Sequence, residues 1–144
     1  MEFIKLEQFK SLDENIQKVF LNWWKPKRYD LYIDSADLSQ VECLDYIKED
    51  EEGILYNSMR DNMSFLEDMI PLFSEGMLRR FIEEKAKGVI DLESYYNSKG
   101  LNKYEIRIFK FDGITTYKKV TIKNTDLLQG YWELALEIIK EVNR

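Results

Sequence analysis

Two adjacent tryptophans in the stretch VFLNWWKPKR, residues 19–28, stand beside Lys25, Lys27 and Arg28. A flat ring next to cations is the chemistry that receives a base and its phosphate. Trp23 shares a helical stripe with Ile16, Val19 and Phe20 and reads as core. Trp24 falls about 100° further round, at the border, where one ring edge is covered and the other wet. Stacking on one base is worth ~1–3 kcal/mol, so Trp24, Lys27 and Arg28 form a candidate contact rather than a tight site. Six further cations lie between Lys103 and Lys123, against Glu105 and Asp112. Among them Arg107, Lys118 and Lys119 are interleaved with aromatics and could hold a nucleotide or another anion. The opposite chemistry fills the middle of the chain. Eleven acids lie between Asp34 and Asp68, against Lys48 and Arg60. Asp45, Glu49, Asp50, Glu51 and Glu52 could occupy a cationic groove on a partner protein.

Catalytic classes find little here. The chain has no histidine, hence no imidazole base and no serine–histidine or cysteine–histidine pair. Cys43 stands between Glu42 and Asp45, which disfavour a thiolate. Asp61 with Glu67 or Asp68 could hold a hard cation, but no EF-hand pattern surrounds them. The six glycines are scattered, so no phosphate-cradling loop is read. The expectation is a non-enzyme with no catalytic residues, no metal and no cofactor. A formal charge of −6 disfavours direct nucleic-acid binding, which phosphate contacts dominate.

The elements that would carry these groups follow from periodicity. The 144 residues read as one domain, 1–144. Ser11-Leu12-Asp13-Glu14 reads as a capping box, opening a helix that Pro26 ends; a short turn near Lys5–Phe9 precedes it. Tyr29–Ile33 reads as a strand. Residues 34–57 stay open between helix and strand, with a solvated turn at 48–53. Met59, Met63, Leu66 and Ile70 are spaced as a helix that stops before Pro71. Ser74 caps a helix with Leu78, Phe81 and Ile82 on its stripe and Gly88 as its stop. Residues 103–111 and 114–122 read as strands joined by a two-residue Asp112-Gly113 turn, with Arg107 facing Lys118. Asn124 or Thr125 caps a last helix with the stripe Leu127, Leu128, Tyr131, Trp132, Ala135, Ile138, Ile139 and Val142. The predicted class is α+β: three main helices around a small antiparallel sheet containing that C-terminal-half hairpin. No signal peptide, membrane span or disulfide pair is read, which predicts a cytoplasmic protein.

Three stretches together resemble a group of small phage- and prophage-encoded proteins of low-GC Gram-positive bacteria. They are Leu6-Glu7-Gln8-Phe9 running on to Trp23-Trp24-Lys25-Pro26, then Ile70 to Glu83 (IPLFSEGMLRRFIE), then Leu127-Leu128-Gln129-Gly130-Tyr131-Trp132-Glu133. After Pro26 the group commonly has Gly-Asp where Arg28-Tyr29-Asp30 stands here, and the acidic middle is longer in this chain. The resemblance carries no functional residues. It implies a phage accessory protein in the host cytoplasm. The function expected from it is stoichiometric, anti-CRISPR-like inhibition of a host defence protein or nuclease complex. The alternative is a small nucleotide-binding or nucleotide-sequestering protein that uses the hairpin cations and aromatics. A homodimer is compatible with either.

Overall fold

The computed structural model describes residues 2–51, 53–112, 115–122 and 126–142, without the side chain of Asp50. The chain divides into two compact units, Lys5–Leu72 and Met1–Ile4 with Phe73–Arg144. Each builds its own antiparallel sheet, one of five strands and one of three. The single small sheet expected from sequence is therefore incorrect. Four α-helices are present among the described residues, and strand residues outnumber helical ones.

In the Lys5–Leu72 unit, α1 (Leu6–Lys10) and α2 (Glu14–Trp23) come first. Ser11 closes α1, its hydroxyl donating to the Gln8 carbonyl (2.9 Å). The cap of α2 is Asp13, which accepts from the Asn15 amide (3.0 Å); the Ser11–Glu14 box is not formed, because Ser11 belongs to the preceding helix. Phe9 and Phe20 meet edge to face at 6.4 Å.

Five strands follow: β1 (Leu31–Asp34), β2 (Asp37–Asp50), β3 (Gly53–Ser58), β4 (Met63–Phe65) and β5 (Met69–Pro71). The last two replace the helix expected over 59–70. Asp61 takes a left-handed conformation (φ 67°), which breaks any helix there. Met59, Met63 and Leu66 are exposed rather than aligned on a buried stripe. Their helical spacing was coincidental.

The sheet order is β4-β3-β2-β1-β5, so the two edge strands are consecutive in the chain. Only a 3₁₀ turn, Leu66–Asp68, joins them. At about 2 Å per residue it spans well under 10 Å, whereas four strand spacings in a flat sheet need roughly 19 Å. The sheet must therefore curl toward closure. The Ser64 hydroxyl accordingly donates to Asp34, linking β4 to β1 across two intervening strands.

A polar cluster sits in this curl. Glu42, opposite Tyr32 in the β1–β2 ladder, is buried. The Arg60 guanidinium grips its carboxylate, Arg60 Nε lying 3.4 Å from Oε2, and Asn62 Nδ2 donates to Oε1 at 2.9 Å. The Arg60 hydrogen bond outweighs burial and pulls the Glu42 carboxyl down to about 2.

In the other unit, α3 (Glu75–Ala86) and α4 (Leu127–Val142) accompany β6 (Gly88–Asn97), β7 (Gly100–Lys110) and β8 (Thr116–Ile122) in the order β6-β7-β8. Ser74 caps α3 as expected, its hydroxyl accepting from the Met77 amide. Asp126 fills the capping role on α4, accepting from Gln129 N at 3.1 Å; the expected caps Asn124 and Thr125 lie outside the described residues. The α4 stripe is buried nearly as read, gaining Leu134 and Gly130 while Val142 is exposed. The β7–β8 register differs from expectation. Arg107 stands opposite Lys119, not Lys118, because the ladder is irregular between Ile108 and Phe109. Gly113 of the expected turn lies outside the described residues.

Candidate docking surface

β2 runs for 14 residues, but β1 accompanies it only as far as Cys43. From Leu44 onward it pairs with β3, in a ladder whose last pair is Asp50–Gly53. Gly53 has φ 129°, a conformation open to glycine and strained for other residues. This fixes where the ribbon turns, and hence where its acids gather. Glu49 and Glu51 are exposed there. Glu52 lies outside the described residues, as does the Asp50 side chain.

Large apolar side chains surround these acids. One face of the ribbon carries Tyr46 on β2, Leu55 on β3, and Met63 and Phe65 on β4, with Leu55 directly opposite Phe65. The other carries Ile47 and Ile54 near the turn. Tyr46, Ile47, Ile54, Met63 and Phe65 are all exposed. Nine of the fifteen exposed large hydrophobics among the described residues fall in the sequence between Leu38 and Leu66, and five of them, Tyr46, Ile47, Ile54, Met63 and Phe65, stand in the ladders of the ribbon and β4. Carboxylates at the end of an apolar ribbon suit a partner site that is apolar in its centre and cationic at its margin.

The remaining predicted residues lie elsewhere. Asp45 pairs with Arg28 at 3.3 Å, so one acid and one cation read as separate candidates neutralise each other. Arg28 also sits 4.8 Å from the Tyr29 ring centroid. Lys27 is exposed, its backbone amide donating to Asp30 (3.1 Å). Trp24 is only 3 % exposed, and its indole N–H donates to the same carboxylate at 3.1 Å. Trp23 is half-buried. The two tryptophans have exchanged their expected places because α2 ends at Trp23. Trp24 is its C-cap in extended conformation (φ −68°, ψ 122°), so the 100° helical step no longer sets its direction.

The basic hairpin is neutralised from within. Arg107 binds Glu105 at 2.7 Å and Glu93 at 3.7 Å, and Lys119 reaches Glu105 at 3.4 Å. Glu105 thus relieves the cross-strand pair of cations, and its carboxyl is lowered chiefly by the Arg107 hydrogen bond. Lys118 lies on the opposite face of the sheet and binds Glu137 (3.1 Å) and Glu141 (2.5 Å) of α4. Its ammonium pKa is raised, mainly by Glu141. An open cleft of about 870 Å³ in this unit is lined by the first turns of α3 and α4, by Tyr104, and by Glu2, Glu75 and Asp126. Three carboxylates make it a poor phosphate site. Among the described residues no group of three or more histidine, cysteine, aspartate or glutamate side chains could hold a metal ion, and no helix is long and apolar enough to cross a membrane.

The tip acids were legible as a charge run. The apolar flanks were not, because residues 34–57 read equally as helix or strand and near its turn the ribbon is exposed on both faces, so alternation there has no buried side to reveal it. Comparison with protein-family models, curated proteins and solved structures returned no match.

Proposed function

We propose that this chain is a phage accessory protein that inhibits a host defence protein or nuclease complex by stoichiometric occupation, without catalysis. The observation that carries the reading is the β2–β3 ribbon, where Glu49 and Glu51 stand exposed close to the exposed side chains of Tyr46, Ile47 and Ile54. On this reading Glu49, Asp50, Glu51 and Glu52 take the positions of nucleic-acid phosphates in a cationic groove. Tyr46, Ile47 and Ile54 supply the desolvated anchors that give such contacts residence time. Asp45 contributes less, since its charge is already matched by Arg28. The internal pairing of Arg107, Lys118 and Lys119 supports this reading over nucleotide capture.

The test is a tagged pull-down from a Gram-positive host carrying active defence systems, with and without nuclease treatment. The captured protein is then titrated with purified chain. A double charge reversal, Glu49→Lys with Glu51→Lys, is expected to weaken binding at least tenfold and to flatten its salt dependence. Binding that survives the reversal at full strength would sink the decoy reading.

A further inference from the structure

We propose that the free edge of β6 pairs with the same edge of a second copy of this chain, antiparallel, about a two-fold axis at Ser94. This surface is separate from the β2–β3 ribbon, and the proposal does not depend on the inhibitor reading.

The direction of the edge is set at Ile90. Its amide donates to Glu83 Oε2 at 3.1 Å and its carbonyl accepts from Arg79 Nη2 at 2.8 Å. Two side chains of α3 thus occupy the peptide positions a neighbouring strand would use. Strand geometry repeats every two residues, and the ladder with β7 is regular from Gly88 to Tyr95. The N–H and C=O groups of Leu92 and Ser94 therefore also point away from β7. The irregularity that follows places the extra residue, Asn102, in β7, so Tyr96 keeps the same outward phase. Ser94 is exposed and Tyr96 is 73 % exposed.

Self-pairing of this edge has few registers. An axis at Leu92 would require the Ile90 groups that α3 already fills. An axis at Glu93 sets Glu93 against its own copy, and directly opposed like charges are unfavourable. With the axis at Ser94, two small hydroxymethyl side chains meet, Glu93 faces Tyr95 of the second copy, and Leu92 faces Tyr96. Glu93 and Tyr95 are chemically matched groups: within one strand the Tyr95 hydroxyl already donates to Glu93 Oε2 at 2.7 Å. The Leu92 pairing covers an aromatic ring that is otherwise in water. The ladder ends where it reaches the Arg79–Glu83 cap, so α3 limits its length. The contact uses the same edge of both copies, so it is isologous and consumes the β6 edge of each. Two copies thus close on each other and do not continue into a fibre.

Sedimentation of the purified full chain between about 1 and 500 μM tests the proposal. A reversible monomer–dimer equilibrium is expected. Ser94→Pro removes only an outward-pointing amide, which edge strands tolerate, and is expected to weaken the dimer at least tenfold. Tyr96→Lys, which asks nothing of the backbone, is expected to weaken it similarly with unchanged circular dichroism. A chain that stays monomeric throughout the range overturns the proposal. So does a dimer whose affinity Tyr96→Lys leaves intact, because it would be using another surface.

Discussion

At Lys87 and Gly88 the residue types and the backbone they adopt are out of step. Lys87 is the C-cap of α3 and takes φ 53°, ψ 53°, its amide donating to the Glu83 carbonyl. A side chain in that region costs about 1 kcal/mol, and glycine is the usual occupant. The glycine comes one residue later, where it opens β6. There a Cβ would lie 2.3 Å from the Phe109 carbonyl oxygen, so close approach of two strands demands it. Reading Gly88 as the helix stop therefore named the right neighbourhood for the wrong reason. Opposite outcomes are expected from two substitutions. Lys87→Gly should raise stability by up to about 1 kcal/mol, since relief of strain exceeds the added freedom of the unfolded chain. Gly88→Ala should lower it by about 1–3 kcal/mol, as overpacking does. Urea unfolding of the two variants gives both numbers, and a neutral Gly88→Ala would mean that the strands part at little cost.

Elements were legible in proportion to how one-sided their burial is. α3 and α4 each bury one stripe, so a 3.6-residue period reveals them, and β7 and β8 were found through their β-rich composition. β6 was missed although Val89, Asp91 and Glu93 alternate with Ile90 and Leu92, because Ser94 to Tyr96 blurs the pattern into the Asn97–Gly100 turn. Of the five-stranded sheet only β1 was read, as the strand Tyr29–Ile33, and the rest was missed for a deeper reason. Its strands depend on long-range pairing and on curl, and β4 and β5 are three residues each, too short to carry any period. The hairpin cations were visible, but their neutralisation depends on register, and one irregular step moved Lys119 opposite Arg107. The Arg79–Glu83 cap on β6 was not legible in sequence, because it depends on where α3 lies against Ile90. Its structural work can be tested by hydrogen exchange. Glu83→Ala removes the acceptor of the Ile90 amide and should accelerate its exchange at least tenfold, whereas Glu83→Gln, which keeps an acceptor oxygen, should change it little. The Asp91 amide, directed toward β7, serves as the internal control; equal acceleration of both would mean general loosening instead of loss of a cap.

For the molecule as a whole, charge sets the limits of stability. Each unit holds a carboxylate in its sheet with a lowered pKa, Glu42 in one and Glu105 in the other. Proton binding to such groups favours the unfolded chain, where an ordinary glutamate titrates near 4.3. Their contribution is therefore complete above about pH 5 and is lost as pH falls toward the folded value of Glu42, about 2. Acidification has a second effect. The formal charge of −6 at neutrality gives way to 21 cations when all 27 acids are protonated, so self-repulsion adds to the loss of the two buried anchors. Glu42→Gln separates the two effects, because it removes one titrating group while leaving the other acids in place. At pH 7 it should cost ~2–3 kcal/mol, below the full linkage value because Arg60 is half in water. The deficit relative to the parent chain should shrink as pH falls below about 5 and vanish near pH 2, while both proteins lose stability together through repulsion. Urea midpoints at pH 7, 5, 4 and 3 would show this convergence. A deficit constant across that range would mean that Glu42 acts through its shape and hydrogen bonds, and that the ionic grip of Arg60 adds nothing measurable to the closure of the curled sheet.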